Sequence, residues 1–150
     1  MASSRGYDFP IKTCSKPNKK LSQCFFGFKK TIHDHCIICE ELPGRFSCND
    51  KFFVYKITCS KSCKFYIGET CRPFRTRLDE HRRSVNNRDG KSALSDHLQN
   101  DHSNDFLTFE DFRFNILSKF NTPVETRIGE ARLISELGPQ LNRRSEMRVS

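Results

Sequence analysis

Apolar and polar positions alternate in two stretches that follow residue 50, and this alternation is typical of β-strands. From 51 to 68, aromatic and β-branched residues alternate with polar ones on both sides of a polar turn at 60–62. The stretch therefore predicts a β-hairpin. Alternation from 106 to 120 predicts a third strand, with Phe112, Phe114 and Ile116 on one side and Phe109, Asp111 and Arg113 on the other.

Three other segments repeat apolar residues at helical spacing. Pro73 suits the first position of a helix, and the following pattern predicts a helix over 73–84. A second short helix is predicted from Ser92 to Asn100, and a third over 124–137, ended by Gly138 and Pro139. The order ββααβα predicts an α+β fold, in which helices flank a small antiparallel sheet. This domain is expected over 51–145, with a short tail at 146–150.

The first fifty residues are polar and contain five of the eight cysteines. We expect an N-terminal extension that is disordered in part. Its 33–48 segment has the composition of a possible zinc knuckle. The candidate ligands of this second zinc are His33, Cys36, Cys39 and Cys48.

The net charge of +8 favours a polyanionic partner. Basic residues are densest between 71 and 91, and DNA is the expected partner, with an ordinary solvated helix face as the alternative. The candidate DNA-binding residues are Arg72, Arg75, Arg82 and Arg83. No apolar stretch is long enough for a membrane span or a signal peptide, so we expect no membrane partner and an intracellular location.

A second group of metal-ligand residues lies within the predicted domain. Cys59 and Cys63 flank the hairpin turn, and His97 and His102 lie on and just after the second helix. This spacing fits a structural zinc site, which would stabilise the thin core of a chain with only 35% apolar residues. Free thiols and surface histidines are the alternative.

Glu130 is the candidate ligand of a catalytic metal ion. On the predicted helix it lies beside apolar residues, where a bare carboxylate is unfavourable unless it is paired or binds a metal. Its neighbours on this face are Leu133, Ile134 and Leu137. Mg²⁺ or Mn²⁺ fits because these ions take one or two carboxylates and accept phosphate oxygens. A buried salt bridge with Arg77 is the alternative.

Four further residues carry groups that can act on a phosphodiester. Arg77 and His81 share one helix face and offer a phosphate-binding guanidinium and an imidazole that can accept a proton. Tyr55 and Tyr66 lie on opposite arms of the hairpin, close to Gly68, which leaves room for an approaching backbone. Packing roles for the tyrosines and for His81 are the alternatives.

These positions, taken in order, resemble the GIY-YIG nuclease family. Phe53-Val54-Tyr55 stands at the first triplet and Tyr66-Ile67-Gly68 at the second. The resemblance implies a metal-dependent DNA endonuclease, in which the tyrosines and arginine act on the phosphate and water, the glutamate holds the metal and the asparagine supports the fold. The chain departs from the pattern in three ways: the first triplet lacks glycine, Glu69 stands where many members carry lysine, and the spacing from Tyr66 to Arg77 is about one residue longer than is common. The single residues matched are Arg77, His81, Glu130 and Asn142.

Cysteines between the triplets and a later histidine pair are also similar to the nuclease domains of Penelope-like retroelements, a class of retrotransposon. This second resemblance implies nicking of target DNA to prime reverse transcription in the nucleus. RNA and a reverse transcriptase encoded by the same element are then further candidate partners. The alternative function is a non-catalytic, zinc-stabilised nucleic-acid-binding module left by a decayed or domesticated element.

Overall fold

A computed structural model describes residues 46–143 of the chain. Its elements follow the predicted order ββααβα. They are β1 (Phe53–Cys59), β2 (Phe65–Thr70), α1 (Phe74–Asn87), α2 (Ala93–Asp101), a 3-10 turn (Phe109–Asp111), β3 (Phe112–Lys119) and α3 (Pro123–Leu137). None of the helices in this part of the chain is both long and apolar enough to cross a membrane.

The three strands form one antiparallel sheet in the order β2-β1-β3. β1 is the central strand, so both of its edges are paired. Phe53, Val54 and Tyr55 in this strand are all fully buried. In the β1–β2 ladder Tyr55 is paired with Gly68, and β2 is an edge strand of the sheet.

The two faces of the sheet carry separate apolar cores. One core includes Tyr55 and Tyr66 and is covered by α1 and α2 through Phe74, Leu78 and Leu94. On the other face α3 contributes Ile134, which packs with Val54 and Ile67. Helices therefore cover both faces of a small antiparallel sheet, as the predicted α+β fold requires.

Local signals in the sequence fix the ends of the helices. α1 begins after Pro73 as predicted, but it continues three residues beyond Ser84 to Asn87. The Ser92 side chain accepts a hydrogen bond from the Ser95 N–H at the start of α2 (3.2 Å). At the end of α3, Gly138 adopts a left-handed conformation with φ of 59°, which glycine reaches without strain.

The prediction of a strand over 106–120 is wrong in its first half. Phe106 is fully exposed, and residues 109–111 form a 3-10 turn. The cause is a capping box, in which the Thr108 N–H donates to the Asp111 carboxylate (2.8 Å) and the Thr108 hydroxyl accepts from the Glu110 N–H. Phe109 consequently packs into the same core as Phe112 and not on the opposite side.

The segment after α3 covers the outer edge of β2. Leu141 N–H donates to the Phe65 carbonyl (3.1 Å). The buried amide of Asn142 accepts from Ile67 N–H (2.9 Å) and donates to the Ile67 carbonyl (2.7 Å). The Asn142 side chain thus pairs with the edge strand as a neighbouring strand would, directly beside Tyr66.

Candidate active site

Tyr55, Arg77 and His81 form the centre of the site. Tyr55 projects from β1 into the core beneath α1, and its phenol oxygen lies 2.8 Å from Nε2 of His81. Nε of Arg77 donates to the same oxygen at 3.1 Å. The i, i+4 spacing on α1 places the guanidinium and the imidazole on one helix face, so that both reach a single phenol.

Tyr66 adds a second tyrosine ring beside His81. Its ring meets the imidazole of His81 edge to face, with ring centroids 5.7 Å apart, and the Tyr55 ring meets it similarly at 5.8 Å. A Cβ atom added to Gly68 would lie 2.6 Å from Cε1 of Tyr66 and 2.7 Å from the Tyr55 phenol oxygen. Gly68 is therefore needed because both phenol rings close over its backbone.

Burial sets the protonation of this centre. The pKa of His81 falls to about 3, first because the imidazole is buried and then because Arg77 is positively charged. Burial likewise raises the pKa of Tyr55 well above its usual range, an effect that Tyr66 adds to and Arg77 opposes. At neutral pH His81 is thus a neutral acceptor for the phenolic proton, while Arg77 remains charged and donates to the phenol oxygen.

Glu80 holds Arg77 from the other side. The guanidinium of Arg77 pairs with Glu80 at 3.0 Å, and Arg72 pairs with the same carboxylate at 2.7 Å. Arg72, expected to contact DNA, is therefore engaged in an ion pair on the surface of α1. The other predicted DNA-binding residues, Arg75, Arg82 and Arg83, are exposed, and their contact with DNA stays a prediction.

Glu130 comes from α3, on the other face of the sheet. It is partly buried and not enclosed by the apolar face as expected; Ile134 and Leu133 make the contacts with the core. Its carboxylate still acts on the phenol centre, because its charge is among the causes that raise the Tyr55 pKa after burial and Tyr66.

Two neighbours of Glu130 were not singled out from the sequence. The Cys71 thiol donates to the carboxylate of Glu69 at 3.4 Å, and its pKa is raised by burial and then by Glu69. Gly129 precedes Glu130 in α3, and a Cβ there would lie 2.2 Å from Cζ of Phe120. The signal for Gly129 was a glycine inside a helix, where it is unfavourable unless something must approach closely.

A cleft of about 290 Å³ leads away from the centre. Arg77, His81 and Ser84 follow one another along α1 and all line the cleft, which therefore runs along this helix toward the loop between α1 and α2. Arg143, bonded to Gly90 of that loop, lines it as well. Three of the five catalytic candidates, Tyr66, Arg77 and His81, therefore line a concave surface that is open to solvent, and Tyr55 lies buried behind them.

Cys59, His97 and His102 converge at the opposite end of β1. All three are buried, and their candidate ligand atoms lie within 4.8 Å of one another. Nε2 of His102 is 3.8 Å from the Cys59 sulfur, and the two imidazole rings are 4.8 Å apart. Three of the four predicted zinc ligands therefore come together.

A carboxylate lies beside Nδ1 of each imidazole. Nδ1 of His102 is hydrogen-bonded to Asp105 at 2.8 Å. Nδ1 of His97 lies 3.0 Å from an Asp101 oxygen, although the ring N–H is not aligned for a hydrogen bond. Histidine ligands of metals are commonly oriented by such a carboxylate, which leaves Nε2 to bind the ion.

The electrostatics of Cys59 also suit a metal ligand. Burial raises the pKa of its thiol, but hydrogen bonds involving His97, Ser62 and the Lys61 backbone outweigh this effect and bring the pKa down to about 6. The side chain is therefore largely thiolate at neutral pH, and the thiolate is the form that binds a metal.

Cys63, the fourth predicted ligand, does not join this group. Its side chain is exposed, and the hydroxyl of Ser62 instead lies 3.1 Å from Nε2 of His97. The turn curls tightly here, because Cys63 has a φ of 58° and its N–H donates to the Cys59 carbonyl at 2.9 Å. Of the proposed second zinc site, Cys48 is buried, whereas its other predicted ligands lie outside the described residues.

Comparison with known proteins gives a match to a family model. No curated protein and no solved structure matches the chain significantly. A sequence model of the GIY-YIG catalytic domain, however, matches residues 51–144, which is more than half of the 150 residues and includes every residue of the Tyr55 centre. The chain therefore belongs to the GIY-YIG family, whose members are nucleases that act on nucleic acid and generally depend on a divalent metal ion.

Proposed function

We propose that this chain is a metal-dependent endonuclease that nicks DNA. One observation carries the proposal: a single buried phenol, Tyr55, is held between the guanidinium of Arg77 and the imidazole of His81 while the charge of Glu130 acts on it. A packing tyrosine would need one hydrogen-bond partner at most. A guanidinium and an imidazole on one phenol oxygen, with the charge of a carboxylate acting on it, suit proton transfer next to a phosphate.

The proposed reaction is a single displacement at phosphorus. A water oxygen forms the new bond to phosphorus and the bond to the 3′ oxygen breaks. The water gives its proton to the Tyr55 oxygen as the Tyr55 proton passes to Nε2 of His81, so no free phenolate is required. The leaving 3′ oxygen takes a proton from solvent water in the open cleft and becomes a hydroxyl, and His81 later returns its proton to solvent. Arg77 donates to phosphate oxygens, whose charge increases in the transition state. Tyr66, at the mouth of the cleft, orients the phosphate by hydrogen bonding.

Glu130 is the proposed ligand of the divalent ion, Mg²⁺ or Mn²⁺. When bound, such an ion supplies Lewis-acid stabilisation of the phosphate and leaving group. A half-buried carboxylate suits this role better than an enclosed one, because Mg²⁺ keeps several of its waters. The partial exposure of Glu130 leaves its carboxylate accessible to a hydrated ion.

The test is conversion of supercoiled plasmid to open circles by the full chain, with and without added Mg²⁺ or Mn²⁺. Glu130→Gln keeps the size of the side chain and should bind DNA without cutting it. Glu136→Gln, on the same helix but exposed and paired with Arg132, is the matched control and should cut normally. Equal cutting by the two variants would refute the role of Glu130. Binding without any cutting by the wild type would favour the non-catalytic module.

The finer proposal is that the nick primes reverse transcription for a Penelope-like element in the nucleus. It is supported by the cysteine and histidine spacing, and it requires a 3′ hydroxyl at the nick. A DNA polymerase, or the element's reverse transcriptase with an RNA template, should therefore extend the nicked strand without prior phosphatase treatment. Nicks that become extendable only after 3′ phosphate removal would exclude this role.

We also propose a structural Zn²⁺ at Cys59, His97 and His102. The support is the convergence of a low-pKa thiol with two imidazoles whose far sides face carboxylates. Metal analysis should find about one zinc per chain, and Cys59→Ser should lose it along with much of the stability, since such sites contribute on the order of 10 kcal/mol. A folded, zinc-free wild type would refute the site.

A further inference from the structure

The cleft that starts at the Tyr55 centre continues well beyond the groups needed for chemistry. Its near end is lined by Tyr66, Arg77 and His81, and its far end by Lys91 and Arg143. At about 290 Å³ it lies near the lower limit of ligand sites. The cleft has room for one nucleotide unit, whereas a double helix is far too wide to enter it.

The far end is built to hold Arg143 in place. A guanidinium nitrogen of Arg143 lies 2.6 Å from an Asp96 carboxylate oxygen and donates to the Gly90 carbonyl at 3.1 Å. Arg143 also directly follows Asn142, whose amide is locked to the backbone of Ile67 in β2. Both the backbone and the side chain of Arg143 are therefore held in position.

A hydrogen-bond network fixes the loop that carries Lys91. The Ser84 hydroxyl donates to Asp89 at 2.6 Å and lies 2.8 Å from the Ser92 hydroxyl. The Lys91 N–H donates to the same Asp89 oxygen at 2.9 Å. Asp89 is thus occupied within the loop, and the exposed Lys91 side chain stands at the rim of the cleft.

We propose that Lys91 and Arg143 bind the phosphate adjacent to the scissile one, on the strand being cut. Three cations line the cleft, with Arg77 at the scissile end and the other two at the far end. Of the two carboxylates that also line it, Glu80 is paired with Arg72 and Arg77, and Asp89 accepts hydrogen bonds within the loop. Cations at both ends of one narrow cleft can hold consecutive phosphates of a single strand.

This inference rests on the proposed nuclease function, but binding can test it without cleavage. The affinity of the full chain for a DNA oligonucleotide is measured by fluorescence anisotropy at several salt concentrations, with no divalent ion added. Lys91→Ala and Arg143→Ala should each weaken binding about tenfold and reduce the slope of log affinity against log salt by about one. The matched controls Lys51→Ala and Arg132→Ala, which are exposed but outside the cleft, should leave the slope unchanged.

Two further variants separate phosphate binding from loss of structure. Arg143→Lys keeps the charge and should restore most of the slope. Asp96→Asn keeps the charge of Arg143 but removes the ion pair that orients it. The slope of log affinity against log salt should therefore persist, while the affinity for DNA falls by a few-fold. Thermal unfolding of each variant shows that the fold is intact. Slopes for Lys91→Ala and Arg143→Ala that equal those of the controls would overturn the proposal.

Cleavage then locates the phosphate. A single uncharged methylphosphonate placed next to the nicked bond should lower the nicking rate of the wild type about tenfold. The Lys91→Ala, Arg143→Ala double variant should nick the modified and the unmodified DNA at the same rate. An equal additional loss in the double variant would overturn the assignment. If the altered salt slopes appear but no variant or wild type ever nicks DNA, the phosphate site stands and the proposed hydrolysis fails.

Discussion

Tyr55 and Gly68 are opposite each other in the β1–β2 ladder, and the phenol of Tyr55 occupies the space that a side chain at Gly68 would need. A Cβ atom at Gly68 would meet the Tyr55 oxygen at 2.7 Å and its Cζ at 2.9 Å. The position of the phenol therefore depends on a missing side chain one strand away. This dependence gives the glycine of the second triplet a physical role in placing the catalytic groups.

Gly68→Ala should accordingly disable the site more than it destabilises the fold. The methyl group must push apart two rings, and overpacking of this kind typically costs about 1–3 kcal/mol. Because a shift of about 1 Å in a catalytic group can lower a rate about a hundredfold, nicking should fall by at least that factor. The measurement is the nicking rate alongside urea unfolding.

Gly138→Ala is the matched control for that experiment. Nothing lies within 4 Å of a Cβ at Gly138, but its φ of 59° strains an alanine. We expect a loss of about 1 kcal/mol in stability and a normal nicking rate. A Gly68→Ala protein that is less stable but nicks as fast as Gly138→Ala would contradict the proposed role of the close contact.

Gly129 should position Glu130 through Phe120. A Cβ at Gly129 would lie 2.2 Å from Cζ and 2.5 Å from Cε2 of the Phe120 ring, so Gly129→Ala must displace α3 or the ring. We expect a higher Mg²⁺ concentration for half-maximal nicking, because the carboxylate moves with its helix. Phe120→Leu removes the obstructing ring atoms, and the double variant should recover most of the metal affinity. Additive losses in the double variant would argue against this contact.

The sequence predicted the order of elements well because its signals were local. Alternation in β1 and β2, the Ser92 cap and the Gly138 stop each act within a few residues. Where a local signal competed with the pattern, the prediction was wrong, as at Thr108, whose capping box replaced the first half of the expected strand. The sheet order β2-β1-β3, by contrast, depends on contacts between distant segments that periodicity does not encode.

The candidate site likewise contains residues that local spacing predicted and residues that it did not. Arg77 and His81 could be paired from their helical spacing alone, and the structure places both on one phenol. The exposed side chain of Cys63 could not be foreseen, because ligand spacing does not fix the backbone of a turn. Arg143 and its Asp96 anchor lie 47 residues apart and carried no local signal at all.

Acid should destabilise the wild type more steeply than a variant that lacks His81. The folded chain holds this imidazole neutral with a pKa of about 3, whereas an unfolded histidine has a pKa of about 6.5. Between those values the unfolded chain binds a proton that the folded chain does not, so the free energy of unfolding decreases as the pH is lowered. The slope contributed by His81 approaches about 1.4 kcal/mol per pH unit.

Urea unfolding at pH 7, 6 and 5 tests this expectation with His81→Gln, which keeps a hydrogen-bonding group near Tyr55. The variant should start less stable at pH 7, and the difference from the wild type should narrow by about 1 kcal/mol between pH 6 and pH 5. A constant difference across this range would mean that His81 is protonated as easily in the folded chain as in the unfolded one.

Asp105 and Cys63 should have opposite importance for the zinc site. Asp105 orients His102 through a 2.8 Å contact with Nδ1, so Asp105→Asn should weaken zinc binding about 10- to 100-fold even though it removes no ligand. Cys63 is exposed, and with three ligands already converged Cys63→Ser should retain about one zinc per chain. Competition with a chromogenic chelator measures both affinities, with Asp79→Asn, an exposed carboxylate on α1, as the control. If Cys63→Ser loses its zinc as completely as Cys59→Ser, the turn must rearrange to supply a fourth ligand, and the three-residue site is wrong.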